Sequence, residues 1–224
     1  MPYYQSTYHS KIYRDFKEID QTAYRQIIYF YEDKEDDIRR LDFDESFEML
    51  AAYVDALFET GAYQKHLLMV DVVIESTIVH HDAIQHGEAV FKTMLFKKAA
   101  SLYNILEYNR ADYILRELIK IDPDDADTSM FLKKCLRKKH PQLVNNARAA
   151  SIFLFLLTAF IICIEVLFIR PFYSIHTGLV ETSRISLFFL GCAFLVGGDL
   201  LHRWRVEREV NEFVARIRQQ KQRD

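Results

Sequence analysis

Residues 149–169 read AASIFLFLLTAFIICIEVLFI and residues 185–201 read ISLFFLGCAFLVGGDLL. The first run holds one charge, Glu165, in 21 residues. A bilayer core needs roughly 20 apolar residues at helical rise, so the run is long enough to span. The second offers 17 residues between Arg184 and the cluster His202-Arg203-Trp204-Arg205. Basic and aromatic residues mark where a membrane helix reaches the headgroups. The two runs are expected to form a transmembrane hairpin over 149–201, and the rest of the chain is organised around it.

Orientation follows from the basic residues at the apolar ends. Lys133, Lys134, Arg137, Lys138, Lys139 and Arg148 precede the first run, and Arg203, Arg205 and Arg208 follow the second. The connection holds only Arg170 and Arg184 against Glu181. Lysine and arginine are retained on the cytoplasmic side, so both termini are expected there, with the hairpin in the cytoplasmic (inner) membrane. Residues 1–34 are rich in tyrosine and charge and lack the apolar core of a signal peptide.

Two acids lie within the apolar runs. A carboxylate at bilayer centre costs about 2.5–3.5 kcal/mol on insertion scales. Glu165 lies near the outer end, within reach of Arg170 and, across the hairpin, Arg184; Asp199 lies near the inner end beside Arg203. Ion pairing is therefore expected in preference to a transport path, which needs several polar residues through the middle. Ala193, Gly197 and Gly198 give the second run a small face for close packing by the first run or by a second copy of the chain.

The net charge of -3 conceals a split. Residues 1–130 carry 25 acidic and 14 basic side chains, and residues 131–224 carry 7 and 15. The basic part suits an anionic leaflet, and the acidic part is repelled by nucleic acid, which is not expected as a partner. Cys135, Cys163 and Cys192 are widely spaced and form no CxxC pattern, so neither a disulfide framework nor thiolate zinc chemistry is indicated.

Six glycines, four prolines and no alternating apolar pattern predict an all-α fold. Residues 1–43 form an aromatic-rich segment in which Ile12, Phe16, Ile19, Ala23, Ile27 and Phe30 recur at helical steps, predicting an amphipathic helix from Ser10. The acidic run from Glu32 to Asp37 suits a solvated helix start. Helices are predicted over 44–60, closed by Gly61, and then over 63–79, 88–106 and 108–121, where Asp122-Pro123-Asp124 stops the last. Sliding the chain by 45 residues places Leu57 on Leu102, Tyr63 on Tyr108, Val70 on Leu115 and Val73 on Leu118. Residues 44–140 thus read as a repeat of helical hairpins, with a further helix over 125–138 capping the array. Residues 202–224 carry Val206, Val210, Phe213, Val214 and Ile217 on one stripe of a basic amphipathic helix, suited to docking on the repeat or lying on the membrane.

The stretch 95–123 resembles a tetratricopeptide repeat. Leu95, Ala99 and Leu102 in its first helix, Tyr108 at the turn, then Ala111, Leu115, Leu118 and Pro123 fall where that family places its large, small and terminating residues. The preceding copy keeps Leu50, Leu57, Gly61 and Tyr63. Lys98 stands at a usually apolar position, Leu106 replaces the turn glycine, and His66 replaces a small residue. The spacing of 45 exceeds the family's roughly 34, which requires an extended connection around residues 77–87. The resemblance implies recognition of a protein or peptide partner.

Within that connection His80, His81, Asp82, His86 and Glu88 are residue types that bind transition metals. Adjacent histidines point in different directions and no second ligand motif backs them, so they are read as solvated and no metal or other cofactor is expected. No phosphate-binding glycine loop, GxSxG turn or HExxH helix occurs, and the chain is not expected to be an enzyme. The reading is a membrane-anchored scaffold or adaptor that presents a helical-repeat surface at the cytoplasmic face. The alternative is a subunit or effector of an oligomeric pore or transport complex whose hairpin assembles under control of the head.

Overall fold

The computed structural model describes residues 10–80, 87–169 and 177–223, and every element among them is helical. The chain divides into two compact units, 1–128 and 129–224.

The first unit begins with α1 (Lys11–Lys17), α2 (Tyr24–Asp33) and the short α3 (Glu35–Ile38). The pattern from Ser10 to Phe30 reads as one helix, but the structure breaks it. The cause is Asp20, whose Oδ1 accepts hydrogen bonds from the Thr22 N–H (2.8 Å) and hydroxyl (2.7 Å). An aspartate that folds onto its own downstream backbone competes with helix continuation. The stripe survives in two pieces, because Tyr13, Phe16, Ile27 and Tyr31 are all buried. Phe16 meets Phe30 at 5.8 Å between ring centroids, and Tyr31 stacks on Tyr53 at 4.2 Å.

Two helical hairpins follow: α4 (Phe43–Glu59) with α5 (Tyr63–Val79), and α6 (Gly87–Asn104) with α7 (Tyr108–Ile121). Contacts run from α4 to α5, α5 to α6 and α6 to α7, and α2 packs on α4. The two hairpin turns have the same geometry 45 residues apart. Gly61 has φ 78° and Leu106 has φ 68°. The Ala62 N–H donates to the Leu57 carbonyl and the Glu107 N–H to that of Leu102, each at 2.9 Å. The Gly61 N–H donates to Phe58 O at 3.0 Å, and the Leu106 N–H to Tyr103 O at 3.1 Å. This pair of bonds satisfies carbonyls that the helix end would leave orphaned, and it requires the left-handed residue between them. Ring pairs also repeat: Phe58 meets Tyr63 edge-on at 6.0 Å, and Tyr103 meets Tyr108 at 5.3 Å.

The core follows the same offset. Met49 and Met94, Val54 and Ala99, Leu57 and Leu102, Val70 and Leu115, and Val73 and Leu118 are buried as pairs. Ala111 and Pro123 are buried, while Leu50, Tyr63, Leu95 and Tyr108 are half-buried.

The second unit holds most of α8 (Ala126–Lys139), then α9 (Gln142–Ile164), a π-helical turn (Glu165–Ile169) and α10 (Thr177–Lys221). Pro141 stands at the N-cap of α9, so that helix starts seven residues ahead of the first apolar run. The second apolar run and the carboxy-terminal amphipathic stretch form a single helix of 45 residues. No proline or turn signal lies between them. Gln142–Leu167 and Thr182–Lys221 are long and apolar enough to cross a membrane. Their large side chains, among them Phe153, Leu156, Phe160, Phe189 and Leu195, are exposed, whereas a core helix of a soluble protein would bury them. α9 and α10 pack closely: a Cβ added to Gly198 would stand 2.3 Å from Ala147 Cβ, and one added to Gly191 2.9 Å from Phe155 Cε1.

Leu106 is 69% exposed, so its side chain returns little for the left-handed backbone it adopts. That conformation costs a non-glycine residue about 1–2 kcal/mol. Leu106→Gly is expected to stabilise the first unit by about 1 kcal/mol, and Gly61→Ala to destabilise it by a similar amount. Thermal denaturation of the detergent-solubilised chain followed by circular dichroism checks both; unchanged midpoints would show that the turns relax at no cost.

Candidate interaction site

The repeat brings apolar side chains to its surface as well as to its core. On α5, His66, Val70, Val73 and Thr77 face inward, while Leu68 (75% exposed), Val72 and Val79 (68% exposed) are displayed outward. Beside Val72 lies a groove of ≈ 370 Å³ between α2, α3, α4 and α5. Tyr31, Ile38, Phe43, Phe47, Leu50 and Val72 line it, with Glu35, Arg39, Ser46 and Ser76 as polar members. Phe43 and Phe47 stack at 5.6 Å, and His80 lies 4.0 Å from the Phe43 ring. A groove of aromatic and aliphatic walls with a sparse polar set accepts an apolar side chain and orients the polar group beside it.

A second groove, of ≈ 300 Å³, separates α1 and α2 from α4 and Lys97 of α6. It is dominated by ion pairs made within the unit. Glu48 holds both Tyr13 and Lys17. Lys97 reaches Asp55 at 2.9 Å and Glu59 at 3.9 Å and lies over the Phe58 ring. The Glu48 contacts secure α1 against α4, together with the Ser10 N–H donating to Glu45 Oε1 at 3.0 Å, and the Lys97 contacts tie α6 to α4.

Lys98, Leu106 and His66 each have a local account. Lys98 pairs with Asp71 of α5 and is mostly covered. Leu106 takes the turn conformation itself. His66 is fully buried where α5 crosses α6, and its Nδ1 lies 2.9 Å from Ser101 Oγ. Its Nε2 has no hydrogen-bond partner among the described residues. The sequence pattern marks His66 only as oversized; the serine facing it is 35 residues away, and no local spacing reveals the pair.

The acidic run is tied to the fold rather than gathered. Glu32 accepts from the Tyr53 hydroxyl at 3.1 Å and from Lys65 at 2.6 Å, and Glu35 pairs with Arg39. Burial and the Glu32 carboxylate push the Tyr53 hydroxyl up to about 12. No cluster of three or more metal-ligating side chains occurs among the described residues. Glu88 pairs with Lys92 at 2.9 Å, and His81, Asp82 and His86 lie outside the described residues.

In the hairpin, Glu165 is buried at the start of the π-helical turn and pairs with Arg184 at 3.1 Å. Asp199 pairs with Arg203 one helical turn along, at 2.8 Å. Arg170 lies outside the described residues. At the far end of α10, Val206 and Val210 are buried, Glu207 pairs with Arg137 of α8 at 3.1 Å, and His202 Nε2 lies 3.3 Å from the Arg137 carbonyl. Of the amphipathic stripe, Val206 and Val210 are buried and Phe213, Val214 and Ile217 are half-buried, and α10 meets α8 through Glu207 and His202.

No family model, curated protein or solved structure matches the chain. What the structure itself defines is an all-helical protein with two helices long and apolar enough to cross a membrane.

Burial pushes His66 down from 6.5 to about 4, opposed by Asp55 and Asp71 and reinforced by Lys97. Below pH 6.5 the unfolded chain takes up a proton that the folded chain resists, so stability is present above that pH and is lost as pH falls towards 4. The loss attributable to this group is at most about 3 kcal/mol. Denaturant titrations between pH 7 and pH 4 should show a shallower decline in His66→Gln than in the parent. Parallel curves would mean that His66 is protonated in place.

Proposed function

We propose that the chain is a membrane-anchored helical-repeat adaptor, of tetratricopeptide-like construction, that captures a protein or peptide partner at the cytoplasmic face of the inner membrane. The observation that carries this reading is the apolar groove beside the displayed stripe of Leu68, Val72 and Val79. Exposed apolar side chains beside an apolar groove on a polar helical unit suit protein contact. The hairpins with equivalent turns supply a rigid frame for it, as stacked repeats do in extended binding surfaces. The acidic balance of the same region favours partners that are neutral or basic.

The hairpin serves as anchor in this reading. Glu165 and Asp199 each have an arginine, which suits structural neutralisation better than conduction. Both flanks are basic and both termini are cytoplasmic.

Two experiments bear on this. A photo-crosslinking amino acid placed at Leu68 should trap a discrete partner in cells, and Val72→Glu should reduce the yield about tenfold, the loss of one central anchor. Replacing 149–201 by an unrelated hairpin of the same topology should leave the yield unchanged. Trapping that depends on the native spans and ignores Val72 would overturn the adaptor reading in favour of a hairpin-based assembly. For topology, a reporter active only outside the cytoplasm should be silent when fused after residue 224 and active when inserted near residue 177. Activity at the carboxy terminus would refute the orientation.

A further inference from the structure

The hairpin carries a groove of its own. α9 and α10 touch at Ala147 and Gly198, but a Cβ added to the adjacent Gly197 would meet nothing within 4 Å. Gly197 floors an apolar groove of ≈ 480 Å³ whose walls include Leu143, Ala150, Ala193, Phe194 and Leu201, with Asn146 as its polar member. Within a bilayer such a space holds hydrocarbon, supplied by a lipid chain or by another helix.

The continuation of the same helical face decides between them. Stepping from Phe194, Gly197 and Leu201 by three and four residues leads to Trp204, Arg205 and Arg208. Trp204 is 60% exposed, and the Arg208 guanidinium lies 5.6 Å from its ring centroid. Arg208 also pairs with Glu212 at 2.7 Å. Arg205 is exposed and has no ion-pair partner among the described residues. A tryptophan belongs at headgroup depth, and arginine binds phosphate through its planar fork. A two-fold contact between copies through this face would instead set Arg205 against Arg205, like charge on like charge.

We propose that this groove is a binding site for one anionic phospholipid, an acyl chain lying on Gly197 and the phosphate held by Arg205 and Arg208 at the end of the hairpin that carries the chain termini. The site rests on the membrane reading of the hairpin.

The test uses the full chain in detergent with phosphatidylglycerol or phosphatidylcholine of identical acyl chains, and native mass spectrometry counts retained lipid. A one-to-one adduct is expected with phosphatidylglycerol. Retention should fall roughly thirtyfold in Arg205→Gln/Arg208→Gln, in line with the attraction of basic side chains to an anionic headgroup. Gly197→Leu, which fills the groove, should abolish the adduct, and Arg223→Gln should leave it intact. Equal retention of both lipids, or an adduct that survives Gly197→Leu, would overturn the site. A dimer that Gly197→Leu dissociates would overturn it in favour of a second copy. Extraction of the chain from vesicles by alkaline carbonate would overturn the membrane reading and the site with it, whereas a carbonate-resistant chain that fails the lipid comparison loses the site alone.

Discussion

A chain that reverses one helix into the next across three residues must place one of them at positive φ, and the repeat depends on meeting that constraint twice. At Gly61 the requirement is met without steric cost; at Leu106 it is met by a branched residue held in the left-handed region. Burial of Leu102, Ala111, Leu115 and Leu118 around the second turn compensates for the strain. Each fully buried leucine contributes about 1.5–3 kcal/mol, more than one left-handed residue costs. Tertiary packing thus determines the turn, and the local preference of leucine is overridden.

The second unit, with two helices apolar enough to cross a membrane, answers a different constraint if they do so, since hydrophobic burial does not draw helices together in lipid. Close contact between α9 and α10 rests on the missing side chains of Gly191 and Gly198, which let Phe155 and Ala147 approach the opposing backbone. The Glu165–Arg184 pair adds a charged tie near the other end. A buried ion pair gives weak net stabilisation yet is costly to break, so it serves to fix register between the two helices.

Much of this was legible in the sequence because helical periodicity is local. The ends predicted for the second and fourth helices of the repeat, 63–79 and 108–121, coincide with α5 and α7. The offset of 45 residues that aligns Tyr63 with Tyr108 reappears in hydrogen bonds, ring pairs and buried positions. The break between α1 and α2 was not legible, because the apolar stripe runs through it and only the bonding of Asp20 to Thr22 interrupts the helix. The candidate site was legible only in part. Phe47 and Leu50 were identifiable from periodicity on one helix, but the groove also needs Tyr31 and Ile38 from two other elements, which a one-dimensional pattern does not bring together. The contrast between Gly197 and Gly198 is equally invisible: adjacent and identical residues, one pressed against Ala147 and the other facing open space.

The unbroken course of α10 joins two surfaces in one rigid body. Gly191 and Gly198 set the rotation of its apolar half against α9, and Val206, Val210 and Glu207 set that of its polar half. With each residue advancing the face by about 100°, the two rotations are phase-locked, and neither contact adjusts independently of the other. The fifteen residues from Gly191 to Arg205 therefore act as a gear of fixed pitch: length, more than composition, is the quantity this segment has to preserve.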